Sequence, residues 1–470
     1  MTRTRKLLIG LGTVVGAILL AAGIAFFVIS RDEAPPDDSD LIVKRLDIPD
    51  DQNGFTYFQQ AGEILYWPGT DAWEKAAKHP ESEEAEKIAY RLDRMENGKD
   101  WDAALAAEVL DANKPTFALI EKGLACREFQ VPEFKSIYDK IPYVFGFMQT
   151  ARLMRLRAAD LAARDKGVEA VERTLDIVLF GHRIECAKGC LIHSLVGQAI
   201  KGMGLGQLRR LVIECKVPAE TLKITAARLA DWEDSGTGLA NALRCEYQMD
   251  VNMIDELYCG NISINAFAIV GREPPRPSWS ERLKYVLFLR PNQTKRLFAE
   301  TLGPRVEDST RPYVAARTQP VAPDAPDGLL QMLSLKNSVG RTLHQIFNPA
   351  LSGVLKVKCQ TQTDVAATRA ILALKAFKMK TGRLPKTLDE LVPEYLAAVP
   401  LDDFDGKPLR YSPEKKILYS VGKGLKDVGG STKEETQKWW EKEYPGRSPE
   451  DVPPEPPVWD RPNPSWPIEF

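Results

Sequence analysis

Hydrophobic and polar positions divide this chain into three stretches. From Leu7 to Ser30 the run "LLIGLGTVVGAILLAAGIAFFVIS" carries no charge. About 20 apolar residues suffice to cross a bilayer as a helix. From Asp51 to Gly260 apolar residues recur at helical spacing. "NGFTYFQQAGEIL" predicts one helix, and "WDAALAAEVLDANKPTFALIEKGLACREF" predicts another, interrupted at Pro115. "YVFGFMQTARLMRLRAADLAARDKGVEAVERTLDIVLFGHRIE" predicts helix, Lys-Gly turn, helix. Further helices are expected around 219–232 and 236–258. "ERLKYVLFLRPNQTKRLFAETL" reads as two helices broken at Pro291. Near the C-terminus the period changes. "TDVAATRAILALKAFKMK" is a mostly buried helix with Gly382 as its stop. "LPKTLDELVPEYL" reads as a short second helix. Leu409 and Tyr411, then Ile417, Tyr419 and Val421, alternate about the turn "SPEK", which predicts a hairpin.

Charge gives the first stretch a direction. "MTRTRK" precedes it and the acidic "RDEAPPDDSD" follows it. Positive residues stay on the cytoplasmic side, so residues 31–470 are expected outside the cytoplasm. A cleaved signal peptide is the rival reading. It would have an apolar region of about 7–15 residues and a small-residue cleavage site, and no such site precedes Arg31. The expected localisation is the bacterial inner membrane, single-pass, with residues 1–6 in the cytoplasm. The lipid bilayer is the expected partner of residues 7–30. The formal net charge of -2 argues against nucleic acid as a partner.

The expected organisation is an anchor at 7–30, a linker at 31–50 and a helical domain at 51–270. A Pro-rich connector with helices follows at 271–330, then a helix plus α+β module at 331–430 and a Pro/Trp-rich tail at 431–470. "GREPPRPSW" and "ARTQPVAPDAPDG" mark the connector as exposed arms. In the tail, "PPEPP" suits polyproline II. Trp439, Trp440, Trp459 and Trp466 are expected to clamp the tail onto the domain rather than hang in water.

Candidate chemistry is sparse. Two of the four histidines fall in "GHRIECAKGCLIHSL", around Cys186 and Cys190. If Val171 to Ile200 forms one helix, His182, Cys186, Cys190 and His193 share its apolar face at about 100° per residue. His182 and His193 would then lie roughly 16 Å apart along the axis, at about 1.5 Å per residue. That is too far for one tetrahedral ion, whose ligands lie within about 2.3 Å of it. Cys215 and Cys245 are conceivable further ligands. Core packing is the preferred reading, with no metal site and no cofactor. The seven cysteines are too few and too scattered for a disulfide scaffold. "GLKDVGGST" lacks the Lys of a phosphate-binding loop, and H-E-x-x-H and G-x-S-x-G are absent. With no catalytic residue assigned, the chain reads as a binding protein. Carboxylate chemistry stays open as an alternative, because Asp and Glu are numerous.

Three resemblances add to this. "LIHSLVGQAIKGMGLGQLRRL" resembles a helix of a group of uncharacterised membrane-anchored bacterial envelope proteins, in which Leu-Ile-x-x-Leu-Val-Gly-x-Ala-Ile recurs. "RTLDIVLFGHRI", "ALRCEYQMD" and "RLKYVLFLRPNQTKRLFAE" fit the same group. The Ala-rich "AADLAARDKGVEAVERTL" resembles the middle of a tetratricopeptide-like hairpin. Residues 363–430 resemble the C-terminal globular part of the G-type pseudopilin of type II secretion. The shared features are Gly382-Arg383-Leu384-Pro385 after a helix, Val399 to Pro408, and Tyr419-Ser420-Val421-Gly422. The chain departs from that family in placing its apolar run far upstream and in lacking the prepilin peptidase site. The family's calcium loop is matched here by "GKGLKDVGG", with Asp427 its one carboxylate, so calcium is not expected. Asp402, Asp403 and Asp405 read as a solvated turn. The fold class implied is mainly α, with irregular, partly tetratricopeptide-like hairpins. To it are added a small C-terminal α+β pseudopilin-like module and one N-terminal transmembrane helix. A protein partner is expected through the helical domain or residues 363–430, as for an interaction or scaffold protein. The alternative is an accessory component of a type II secretion or pilus-like system.

Overall fold

The computed structural model describes residues 16, 17, 20 and 23, and then 31–470 except 77–81, 137–138, 234–235, 264–275, 317–335, 348–352, 444–457 and 462. The expected anchor at 7–30, most of both connector arms and "PPEPP" thus lie outside the described residues. Among the described residues no helix is long and apolar enough to cross a membrane.

The fold is mainly helical with one small three-stranded antiparallel sheet. The helices are α1 (Gly54–Ile64), α2 (Asp71–Lys75), α3 (Ser82–Glu96), α4 (Ala103–Ala112), α5 (Lys114–Ala125), α6 (Tyr143–Ala163), α7 (Gly167–Glu185), α8 (Leu191–Glu214), α9 (Ala219–Ala230) and α10 (Thr237–Cys259). They continue with α11 (Trp279–Phe288), α12 (Pro291–Asp308), α13 (Ser338–Phe347), α14 (Val354–Thr381) and α15 (Lys433–Glu443). Local signals set many of the ends. Asn53 caps α1 by accepting from Phe55 N–H, and Asp102 caps α4 by accepting from Ala104 and Leu105 N–H. Pro115 sits in the first turn of α5, where its missing N–H costs nothing. Gly382 ends α14 in the left-handed region at φ 76°.

Three large apolar cores hold these helices, beside a small fourth one of Cys359, Phe404 and Val421. The first is aromatic, with Phe58 stacked on Phe180 at 3.8 Å between ring centroids and Phe55, Phe129 and Phe147 around them. The third joins α10, α12 and α13 through residues such as Leu243, Leu302 and Leu343. The second runs along α14 and is continuous on both sides of it. Leu175, Leu208 and Leu229 pack from α7, α8 and α9. Leu388, Leu409, Leu418 and Trp466 pack from the C-terminal module. Helix α14 is therefore a shared spine, buried from Lys358 to Phe377 along most of its length.

The tightest helix contact is α7 on α8. A Cβ on Gly181 would stand 2.5 Å from Lys201 N, and one on Gly197 would stand 2.3 Å from Glu185 N. Both obstacles are backbone, so neither can yield, and only glycine lets the helices approach this closely. Inside this crossing Lys201 and Glu185 form a fully buried ion pair.

The C-terminal sheet has the order β1 (Arg410–Ser412), β2 (Ile417–Tyr419), β3 (Ser465–Pro467). Tyr411 faces Leu418, and Leu418 faces Trp466. The hairpin expected from sequence is β1–β2. The short second helix is only a 3₁₀ turn, Leu388–Leu391. The third strand comes from the tail. Trp466 is buried, and its Nε1 donates to Asp364 of α14 at 3.1 Å. Trp440 is buried too.

Candidate functional site

A cleft lies where α14, the end of α9 and the turn 397–406 meet. It holds about 540 Å³, within the roughly 300–1,000 Å³ of small-ligand sites. Helix α14 supplies Gln362, Ala366 and Arg369 to its wall, spaced so that they share one face. Glu233 stands just past α9, and Pro312 closes one side. The opposite wall is small and apolar, from Ala397 to Leu401, with Asp402, Asp403 and Gly406 beyond.

The polar groups of the cleft are matched in charge. Arg369 pairs with Glu233 and donates through Nε to Ala226 O at 3.3 Å. Lys358, one turn before Gln362 on α14, reaches Asp403 at 2.8 Å. Each carboxylate thus has its own cation, which leaves neither poised as a free base. Gln362 is buried, and its Nε2 has no hydrogen-bond partner among the described residues. Such a cleft suits a neutral polar or zwitterionic occupant, such as peptide backbone.

Behind this wall Asp402 organises the turn. The turn "DDFDGK" is not solvated at this position, because Asp402 is fully buried. Its carboxylate accepts from Phe404 N–H at 3.1 Å, Val421 N–H at 2.9 Å and Thr363 Oγ1 at 3.4 Å, and pairs with Arg410 at 3.1 Å. Burial pushes its pKa upward against these donors. Asp405 pairs with the same guanidinium, and Asp427 approaches it at 3.8 Å. Burial opposes ionisation of Asp405, but Arg410 prevails and holds its pKa low. Arg410, half-enclosed, is held protonated by Asp405 above all. The positive charge among these three carboxylates is therefore a guanidinium.

The Cys/His stretch is not one helix. Helix α7 ends at Glu185 and α8 starts at Leu191, with Lys188 at φ 56° in the turn between. His182 and His193 thus lie on different helices of a hairpin. His193 is buried and His182 half-buried, so the single apolar face expected of one helix is not formed. His193 Nδ1 meets Cys190 Sγ at 3.2 Å, and its Nε2 meets Tyr143 OH at 3.0 Å. Phe134 packs on its ring. Burial lowers His193 to about 4 and raises Cys190 to about 11, so both are neutral. Burial, then Lys201 and Arg183, lower His182 to about 3. Cys245 is buried nearby, its pKa raised by burial and by Cys190. Cys186 and Cys215 are half-buried, and each of these cysteines is a free thiol. Among the described residues no three His, Cys, Asp or Glu side chains converge on a metal position.

The cleft was not legible in the sequence, because its walls come from four separated segments. Compared with known proteins, the chain matches no family model, no curated protein and no solved structure.

Proposed function

We propose that this chain is a membrane-tethered extracytoplasmic interaction protein of the bacterial inner membrane, and that it binds a peptide segment of its partner in the cleft beside α14. The single observation that carries this reading is the charge-matched, 540 Å³ cleft between the helical body and the C-terminal turn. It offers polar groups and small apolar residues without a free acid or base. A second reading, an accessory role in a type II secretion or pilus-like system, draws support from the module's order of helix, Gly382 stop and hairpin. That order is fold analogy and carries layout, not chemistry.

The test fills the cleft without touching the core. Ala398 is exposed and Leu401 is 55% exposed, so Ala398→Trp and Leu401→Arg leave the fold intact. Photo-crosslinking in intact cells from position 401, followed by mass spectrometry, should capture a defined partner. Ala398→Trp should abolish that capture. Partner capture that is indifferent to a filled cleft would overturn the reading. Capture of pilin-like or secretion subunits would select the second reading. Removing everything after residue 360 is not a usable alternative, because it cuts the spine out of the second core.

A further inference from the structure

Helix α11 presents an apolar stripe to solvent. Trp279 is 78% exposed, Leu283 42% and Val286 51%. Their i, i+4, i+7 spacing puts them on one face, while Tyr285 points into the core. Arg276 stands exposed just before the helix, and Arg282 borders the stripe with its Nη2 donating to Gly260 O at 3.1 Å. The acidic residue of this helix, Glu281, is committed to the helix start, where it accepts from Ser278 N–H at 2.8 Å and bonds Ser263. The outward surface is thus apolar with a basic margin.

A second observation says what faces it. Only Leu289 and Arg290 separate α11 from α12, whose first N–H groups have no partner within the helix. Asp32 supplies one. Its carboxylate accepts from Asn292 N–H at 2.8 Å and Gln293 N–H at 3.2 Å. Asn292 Nδ2 donates to Glu33 O at 2.8 Å, and Arg296 pairs with Glu33 at 3.2 Å. A carboxylate at this helix end is also favoured by the helix dipole. The chain is therefore fixed to α12 two residues after Ser30, a span of at most about 7 Å. If residues 7–30 cross a bilayer, its surface lies at the start of α12. Helix α11 is about 15 Å long and ends two residues before α12, so its stripe lies within roughly 22 Å of that point.

We infer that α11 is an interfacial helix, which inserts Trp279, Leu283 and Val286 into the headgroup–acyl boundary of the bilayer that holds residues 7–30. Trp is favoured at this boundary, and Arg and Lys beside an apolar face are drawn to anionic headgroups. The helix would fix the orientation of the body on the membrane. This inference rests on the anchor reading.

The experiment uses the full chain in vesicles of phosphatidylethanolamine and phosphatidylglycerol whose acyl chains carry bromine near the carbonyl end. Residues 1–30 contain no Trp, so bromine quenching reports on the body alone. Wild-type fluorescence should be quenched. Trp279→Phe should remove most of that quenching, and Leu283→Ser with Val286→Ser should weaken it with unchanged circular dichroism. Extraction with alkaline carbonate separates the two ideas. Release of the chain overturns the anchor reading and this inference together. Retention with equal quenching in wild type and Trp279→Phe overturns the inference alone. An unquenched Trp279 in a dimer that Leu283→Ser dissolves would assign the stripe to a second copy, and would also overturn it.

Discussion

Of the polar clusters buried in this molecule, the one around His193 and the one around Asp402 respond to burial in opposite ways. The His193 cluster lies against aromatic rings with Cys190 and Tyr143 as partners, and burial keeps it uncharged. Around Asp402, by contrast, stand two backbone N–H groups, a hydroxyl and a guanidinium. There the charge is offset by donors supplied from three segments. A buried ionisable group either gives up its charge or is given partners for it. The first outcome yields packing, and the second yields a junction that ties a turn, a hairpin and a helix together.

The largest effect should come from breaking the junction. Asp402→Ala leaves Val421 N–H and Phe404 N–H without their acceptor, while Arg410 keeps Asp405. Leaving a buried donor unsatisfied typically costs about 1–3 kcal/mol, and two are created here. Guanidinium unfolding should show a clearly lower midpoint, and release of the tail should expose Trp466. An unchanged midpoint would mean that the network is incidental. Asp402→Asn, which retains an acceptor, should lose less.

The neutral cluster makes a pH prediction. His193 has a folded pKa of about 4 against an ordinary 6.5. Between those values the unfolded chain binds the proton and the folded chain does not. Stability from this residue is therefore present above about pH 6.5 and is lost as pH falls toward 4, at about 1.4 kcal/mol per pH unit. Other groups titrate in this window, so the comparison is wild type against His193→Phe. The variant's stability should depend less on pH there, and parallel curves would show that His193 is protonated in the fold. A smaller change is expected for Tyr143→Phe. It deletes one partner of the ring, at about 1 kcal/mol, and should appear as a modest drop in melting temperature.

The contrast also explains which parts of the structure were readable in the sequence. The hairpin from Tyr143 to Glu185 was legible, because Lys166-Gly167 interrupts two long apolar patterns. The break at 186–190 was not. Apolar residues continue in phase across it, and Lys188 takes a left-handed conformation that its residue type does not announce. Gly382 could be read as a helix stop because its signal is local. Asp402 was misread because its neighbours, Asp403, Asp405 and Gly406, look like a wet turn. The donors that bury it stand at Thr363 and Val421. The third strand was hidden for the same reason, since Trp466 finds Leu418 only after the intervening helix α15. Local chemistry was legible and long-range pairing was not.

The smallest expected effect is the sharpest test of the charged cluster. Asp402, Asp405 and Asp427 surround Arg410, so the region has the carboxylates that a hard divalent cation would seek. A calcium ion there would have to displace the guanidinium, and two of those carboxylates would lose hydrogen bonds already made to Arg410 and to backbone N–H groups. Adding millimolar calcium should therefore leave the melting temperature of the wild type unchanged. Arg410→Ala removes the internal cation and leaves the carboxylates facing one another. That variant should melt lower, and calcium should restore part of the loss. If calcium instead stabilises the wild type, the guanidinium does not hold this position against a metal ion, and the account of Asp402 as part of a cation-compensated junction fails with it.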